Sequence, residues 1–170
     1  TVLNMENQNI LLFSSNDKRT PPAVLVVRGT VKTMNTMISS YDPALDGPNP
    51  NGYNLRSHIL VRDGGKMDIL NSSLTYLGYS LGGIEDTRFS RAAIGYYNTT
   101  NVVIANSTLA YSYYGFYSAY TKDIKIVDSK VFGNTRYGLD PHTFTTNLFV
   151  SNNHIYDNGN QGFICSLSCL

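Results

Sequence analysis

The sequence predicts an all-β fold, a right-handed parallel β-helix with coils of about 22–24 residues. The first observation is a repeated pattern in which two alternating apolar residues precede Asn or Asp, and another apolar residue follows three positions later. Alternation with a period of two is typical of strands. The second observation is the spacing, because the last three copies begin 22 and 24 residues apart. The five copies begin at Val31, Met67, Val102, Ile124 and Leu148.

The Asn or Asp of each copy is predicted to form a ladder of stacked side chains, each amide bonded to its neighbour in the next coil. The apolar positions are predicted to fill the interior. Two of these ladder residues, Asn71 and Asn106, also lie in Asn-x-Ser/Thr sequons, as does Asn98. We expect Asn71 and Asn106 to be buried in the ladder and therefore not glycosylated.

The chain is predicted to be a single β-helix domain over residues 1–170. The earlier copies lie 36 and 35 residues apart, so each of these gaps holds one coil and an additional loop, at about 42–55 and about 79–90. The last coil opens at Gly162, and the sequence ends eight residues later without a capping element, which a solenoid needs. We therefore expect an incomplete fragment that lacks further C-terminal coils.

The composition excludes several classes of protein. A formal net charge of +1 gives no strong field for nucleic acid, and no apolar run reaches the roughly 18 residues of a membrane span. Cys165 and Cys169 could form a disulfide or remain free thiols, so cysteine usage leaves the compartment open. We expect a monomer without a cofactor.

Small–apolar residue pairs before each copy predict which side chains share one face. They align Ile59, Ile94, Phe116, Leu139 and Phe163 in successive coils. Residues at fixed offsets from these anchors then form a basic, aromatic face of the kind that a polyanion needs, although an ordinary solvated surface has similar residues. The residues predicted to bind substrate are Arg91, Arg56, Arg136, Tyr117 and Tyr97.

The segment Asp140-Pro141-His142 lies on this face and could carry chemistry. Pro141 cannot donate to a central strand ladder and holds its neighbours in an extended, stiff conformation. His142 suits proton transfer near neutral pH, and a nearby carboxylate can orient the ring and raise its basicity. On spacing alone, an Asp-Pro turn with a surface histidine is the simpler interpretation.

A longer stretch resembles the mannuronan C5-epimerases. That family carries a Tyr-Gly-apolar-Asp-Pro-His block, an apolar strand and an Asp-Asn-Gly-x-x-Gly-apolar turn on a right-handed parallel β-helix. Here the block is Tyr137 to His142 and the turn is Asp157 to Phe163. The likeness covers about residues 53–170, and the tail from Gly162 to Ser166 is most similar to the brown-algal and archaeal-like branch.

The resemblance implies a secreted or cell-surface enzyme that converts β-D-mannuronate to α-L-guluronate within alginate, an acidic polysaccharide. It implies that His142 and Tyr137 are the proton-transfer pair, with Asp140 supporting them, and it leaves open which of the two is the base.

The group that neutralises the substrate carboxylate is less evident. Tyr113 and Leu167 stand near the places where some family members have Lys or Arg. The candidates are Arg91, then Arg56 and Arg136. Because the sequence has no Gly-Gly-x-Gly-x-Asp calcium repeat, we expect no bound metal.

Two other functions remain open from the sequence. A polyuronate lyase would share the proton abstraction but would expel the O4 leaving group. A non-catalytic β-helix could bind an acidic glycan without reacting with it.

Overall fold

The structure is a computed structural model that describes residues 1–15, 17, 19–82 and 86–169. These residues form nineteen β-strands and contain no helix. Seventeen of the strands belong to three parallel sheets that run along a solenoid, and the other two form an antiparallel hairpin. The all-β parallel β-helix predicted from the sequence is confirmed.

The chain visits the three sheets in the same order in successive coils. Sheet 1 contains β1 (Val2–Glu6), β4 (Thr30–Met34), β7 (Lys66–Leu70), β12 (Thr100–Ala105), β15 (Lys122–Val127) and β18 (Thr146–Ser151). Sheet 2 contains β2 (Asn9–Phe13), β5 (Met37–Tyr41), β8 (Ser73–Thr75), β13 (Thr108–Ala110), β16 (Lys130–Phe132) and β19 (His154–Tyr156). Sheet 3 contains β3 (Val24–Val27), β6 (His58–Arg62), β11 (Ile94–Tyr97), β14 (Phe116–Ala119) and β17 (Leu139–Pro141).

The predicted alignment of the coils is confirmed in sheet 3. Ile94 pairs with Ile59 on one side and with Phe116 on the other, and Phe116 pairs with Leu139. These side chains are fully buried and belong to a continuous apolar core that runs through the coils. Successive strand residues point to opposite faces, so the intervening residues of sheet 3 face outward.

At the corner between sheets 1 and 2, the Asn and Asp residues do not form the predicted ladder. The Asn or Asp of each repeat lies here with a positive φ of 46–54° and an exposed side chain. Asn and Asp tolerate this left-handed conformation better than other non-glycine residues. Asn71 and Asn106 are therefore exposed, so the prediction that burial prevents their glycosylation is wrong.

The buried ladder lies one residue further along the chain. Its side-chain oxygens accept hydrogen bonds from backbone N–H groups of the preceding coil at 2.9–3.1 Å, which satisfies polar groups that the corner would otherwise bury. The accepting residues are Ser72, Ser107, Ser129 and Asn153.

The first coil was not predicted from the sequence. Strands β1 and β2 pair in parallel with β4 and β5. The same repeat pattern is present there as Leu3, Met5, Asn7 and Ile10, and Asn7 has the corner conformation with φ of 55°.

Both predicted insertions lie at the corner between sheets 2 and 3. The predicted loop at 42–55 joins β5 to β6, and the predicted loop at 79–90 forms the hairpin of β9 (Tyr79–Gly82) and β10 (Asp86–Arg91). Residues 83–85 of this predicted loop, including Gly83, lie outside the described part of the chain. A second ladder crosses this corner, with Ser112, Asn134 and Asn158 as acceptors of backbone hydrogen bonds.

Candidate functional site

A row of three rings crosses the outer face of sheet 3. The ring of Tyr97 lies 5.5 Å from that of Tyr117, and the ring of Tyr117 stacks on His142 at 5.4 Å. One ring comes from each of three successive coils, and Tyr117 stands two positions before Ala119, the register partner of Tyr97, so all three side chains face outward. Tyr117 is also the direct cross-strand neighbour of Asp140. The structure thus brings together four of the predicted site residues.

His142 follows β17 directly, and its backbone N–H donates to Ser118 O at 2.9 Å, which continues the strand pairing. Its Nδ1 lies 2.7 Å from the hydroxyl of Thr143. Partial burial lowers the pKa of His142 below its usual value, which favours the neutral imidazole at neutral pH. The group beside Nδ1 is a neutral hydroxyl, whereas the sequence suggested a carboxylate that could orient the ring.

Asp140 is 4% exposed, and its Oδ1 has no hydrogen-bond partner among the described residues. Burial raises the pKa of this carboxyl to about 6, while the charge of Arg136 lowers it by a smaller amount. Asp140 can therefore hold or lose a proton near neutral pH. A buried carboxyl with a perturbed pKa is a common property of functional sites.

We expect Asp140→Asn to stabilise the protein in a pH-dependent manner. The folded-state pKa of about 6 lies above the unfolded value, so the folded state loses stability as the pH rises from about 4 to 6. Above that window the variant should be more stable by at most about 3 kcal/mol. Urea unfolding of both proteins at pH 4 and pH 7 measures this. A stability difference that is the same at both pH values would contradict it.

Tyr137 and Arg136 form a second group immediately before β17. The Tyr137 ring stacks on Tyr114 at 5.0 Å, and the Arg136 guanidinium lies 4.8 Å from the Tyr137 ring centre. Partial burial lowers the pKa of Arg136, but interactions with the phenol groups of Tyr113, Tyr114 and Tyr137 outweigh this and raise it. A guanidinium cation is thus held against a cluster of phenols.

The predicted column of three arginines is not formed. Arg56 is 0% exposed, and its guanidinium donates to the carbonyl oxygens of Gly78, Tyr111, Leu77 and Asn49. Arg56 is therefore corrected from a substrate-binding residue to a structural one.

Arg91 ends β10 at the base of the hairpin, where it pairs with Tyr79. Because of the insertion, Arg91 does not lie in the column. Leu77 occupies that position, where its carbonyl oxygen accepts a hydrogen bond from Tyr113 N–H at 3.0 Å. Arg91 instead lies near His58 and Tyr97, whose pKa values its charge lowers in part.

Two contributors to the site were not predicted from the sequence. Thr143 follows the histidine directly, but no sequence pattern indicates that its hydroxyl lies at hydrogen-bonding distance from the ring. Tyr114 belongs to the Tyr113-Tyr114 pair, and the alternation of strands does not predict which of two adjacent residues at a corner faces the site.

A disulfide joins Cys165 and Cys169, whose Cα atoms are 5.5 Å apart. This outcome is one of the two that the sequence left open. The segment before and within the disulfide loop pairs with β17, since Ile164 N–H donates to Leu139 O and Ser166 N–H donates to Pro141 O. The disulfide loop therefore supports the strand that carries Asp140.

Within the described ranges, no group of three or more His, Cys, Asp or Glu residues is arranged to hold a metal ion. In the same part of the chain there is no helix of the length and apolarity needed to cross a membrane.

Comparison with known proteins agrees with this architecture. Three solved structures of variants of the periplasmic alginate epimerase AlgG superpose with TM-scores of 0.76–0.78 at 18–19% sequence identity. The alignment covers 94% of this chain but only 38–39% of each of those chains. No curated protein sequence gives a significant match. A family model described as the right handed beta helix region matches residues 49–169. Because that match covers well over half of the sequence, the chain belongs to the right-handed β-helix family.

Proposed function

We propose that this chain carries the reactive site of a polyuronate C5-epimerase that converts β-D-mannuronate to α-L-guluronate in alginate. The observation that carries the proposal is the pair formed by His142 and Asp140. These residues lie two positions apart and so face the same side of sheet 3. One is a histidine whose environment favours the neutral form, and the other is a buried carboxyl that can be protonated.

In the proposed first step, His142 removes the proton from C5. We assign to His142 the tautomer in which Nδ1–H donates to the Thr143 hydroxyl, 2.7 Å away, so that the lone pair of Nε2 is free to form the new N–H bond. The electron pair of the broken C5–H bond delocalises into the substrate carboxylate. The lowered pKa keeps His142 unprotonated and ready to act as a base at neutral pH.

In the second step, the Tyr137 phenol returns a proton to C5 from the other side of the sugar ring. Tyr137 precedes β17 and His142 follows it, so the two groups flank Asp140. The Arg136 guanidinium against the Tyr137 ring stabilises the phenolate that remains. Exchange with water then restores both groups.

Asp140 and Arg136 together stabilise the charge that develops on the substrate carboxylate. A second carboxylate beside Asp140 would raise the Asp140 pKa above its value of about 6, so Asp140 would be protonated in the complex and could donate a hydrogen bond. Preorganised donors of this kind supply a large part of the catalysis when charge develops in a buried site.

The proposed location is outside the cytoplasm. The disulfide between Cys165 and Cys169 suits an oxidising compartment, and the structural neighbours are described as periplasmic.

The test is proton NMR of polymannuronate incubated with the full-length protein in deuterated water. The epimerase should produce guluronate signals with deuterium at C5. If an unsaturated product that absorbs ultraviolet light forms and no guluronate appears, the protein is a lyase and the epimerase proposal is wrong. Binding without any exchange would replace it by a glycan-binding module.

We expect the Thr143 hydroxyl to be a positioning group for His142. Thr143→Val keeps the shape of the side chain but removes the oxygen, and it should lower kcat about five- to tenfold with little change in KM. Thr143→Ser, the matched control, should behave like the wild type. Nitrogen-15 NMR of the imidazole should show a mixed tautomer population only in the valine variant. Equal tautomer populations in both variants would refute this role.

A further inference from the structure

A separate cleft of about 400 Å³ opens on the same face, towards the N-terminal coils. Its volume lies in the range of about 300–1,000 Å³ that is typical of ligand sites. The side chains come from β6, from the base of the hairpin and from the end of β11. The lining residues are His58, Leu60, Arg62, Asp63, Arg91, Tyr97 and Asn98.

His58 is the feature of the cleft that points to a ligand. It is 7% exposed, and its Nδ1 has no hydrogen-bond partner among the described residues. Its ring packs edge-on against Tyr79 at 5.9 Å, which holds it in place. Burial and then the charge of Arg91 lower the His58 pKa to about 4, so the ring is neutral at neutral pH and can present an N–H to an acceptor.

The charges around His58 favour an anionic ligand. Arg62 and Arg91 line the cleft as cations. Asp63 is the acidic residue of the lining, and its carboxylate is shared between Arg62 at 2.8 Å and Arg28 at 3.4 Å. The cleft therefore has an excess of positive charge.

The row of rings connects this cleft to the reactive site. Tyr97 lines the cleft and packs against Tyr117, which stacks on His142. In sheet 3, β11 lies two strands from β17 and β6 lies three strands from it. Neighbouring strands are about 4.8 Å apart, so the cleft is roughly 10–15 Å from Asp140, a distance of a few sugar residues.

We propose that this cleft is a second anion-binding site, which holds a carboxylate of the polysaccharide a few sugar residues away from the one that reacts. The identity of the sugar as a uronate rests on the proposed function. The side chains of Arg91 and Arg62, with the His58 N–H, bind the carboxylate, and Tyr97 packs against the sugar between the two sites. The cleft thereby makes affinity depend on the length of the substrate.

The test is calorimetric binding of mannuronate oligomers from the dimer to the octamer by the full-length protein. In the wild type, affinity should increase with length until the oligomer reaches the cleft. Arg91→Gln should remove this gain, with about tenfold weaker binding of the octamer and unchanged binding of the dimer. Leu60→Glu, which adds a negative charge to the cleft, should have the same effect. Both variants should melt at the wild-type temperature.

The matched control is Arg28→Gln, because Arg28 contacts the same Asp63 but does not line the cleft. The affinity of the Arg28→Gln variant should still increase with oligomer length. For the wild-type protein, oligomers whose C6 groups are reduced and uncharged should show no such increase. An unchanged length dependence in both cleft variants would overturn the proposal, as would an equal loss for dimer and octamer. If binding depends on length but no C5 exchange occurs, the epimerase proposal alone is refuted. If C5 exchange occurs but Arg91→Gln leaves the length dependence of binding unchanged, the second site alone is refuted.

Discussion

His142→Gln is expected to lower the rate of C5 proton exchange by a factor on the order of a hundred to ten thousand, the usual contribution of a general base. Glutamine can keep a contact with the Thr143 hydroxyl and can stack on Tyr117, but it cannot accept the C5 proton. The reaction is followed by loss of the H5 signal of polymannuronate in deuterated water.

The control for this variant is His154→Gln, at an exposed histidine of β19 on sheet 2. It should exchange at the wild-type rate. Binding of a mannuronate octamer should survive in the His142 variant, which separates chemistry from recognition. If exchange continues at the wild-type rate without His142, the assignment of the base is wrong.

Arg56→Met is expected to cost about 3–5 kcal/mol of the free energy of unfolding, the largest effect on stability. The guanidinium of Arg56 is fully buried and joins carbonyl oxygens of the 42–55 loop and of two neighbouring coils. Burial lowers the Arg56 pKa to about 10, so the group still carries its charge at neutral pH. Methionine fills the space of the stem and leaves these carbonyls without a partner.

Arg56→Lys should recover only part of the loss, because an ammonium cannot reproduce the planar set of donors. Arg28→Met, at an arginine whose side chain is 66% exposed, should change stability by less than about 1 kcal/mol. Chemical denaturation of the three variants gives the comparison. A loss at Arg56 no larger than at Arg28 would show that the buried guanidinium does not hold the corner together.

The coil architecture could be predicted because the alternation within each strand repeats from coil to coil. The interior accepts one apolar side chain at every second position, so residues such as Ile104 and Ile126 repeat with the coil. The same alternation predicts that Tyr117 lies beside Asp140. Sheet register follows from side-chain alternation, because a shift by one residue would turn the apolar set to solvent.

The corners were predicted less well. Asn is suited both to a left-handed corner and to a buried ladder, and these two positions are adjacent in the chain. The repeat pattern alone therefore placed Asn71 in the ladder, whereas Asn71 has the left-handed conformation and Ser72 is the ladder residue. The burial of Arg56 depends on the 42–55 loop, which folds over it. The sequence of this loop does not follow the coil repeat, so its conformation could not be predicted. The displacement of Arg91 likewise depends on how the hairpin leaves the coil.

For the candidate site, the coil alignment correctly brought His142, Asp140, Tyr117 and Tyr97 to one face. The contact between Thr143 and His142 could not be predicted, because it depends on a side-chain rotamer. The electrostatic state of Asp140 could not be predicted either, since burial of that carboxyl depends on the neighbouring coils.

The confinement of both insertions to one corner has an evolutionary consequence. The 42–55 loop and the 79–91 hairpin leave the solenoid between sheets 2 and 3, whereas each corner between sheets 1 and 2 keeps its two residues. The hairpin forms a separate two-stranded sheet, so its length can change without disturbing the pairing of the three parallel sheets. The 42–55 loop must keep the Asn49 carbonyl that accepts a hydrogen bond from Arg56. Natural variation or laboratory grafting at the hairpin could therefore reshape the proposed cleft, which Arg91 at the hairpin base lines, while the strand that carries Asp140 stays in place.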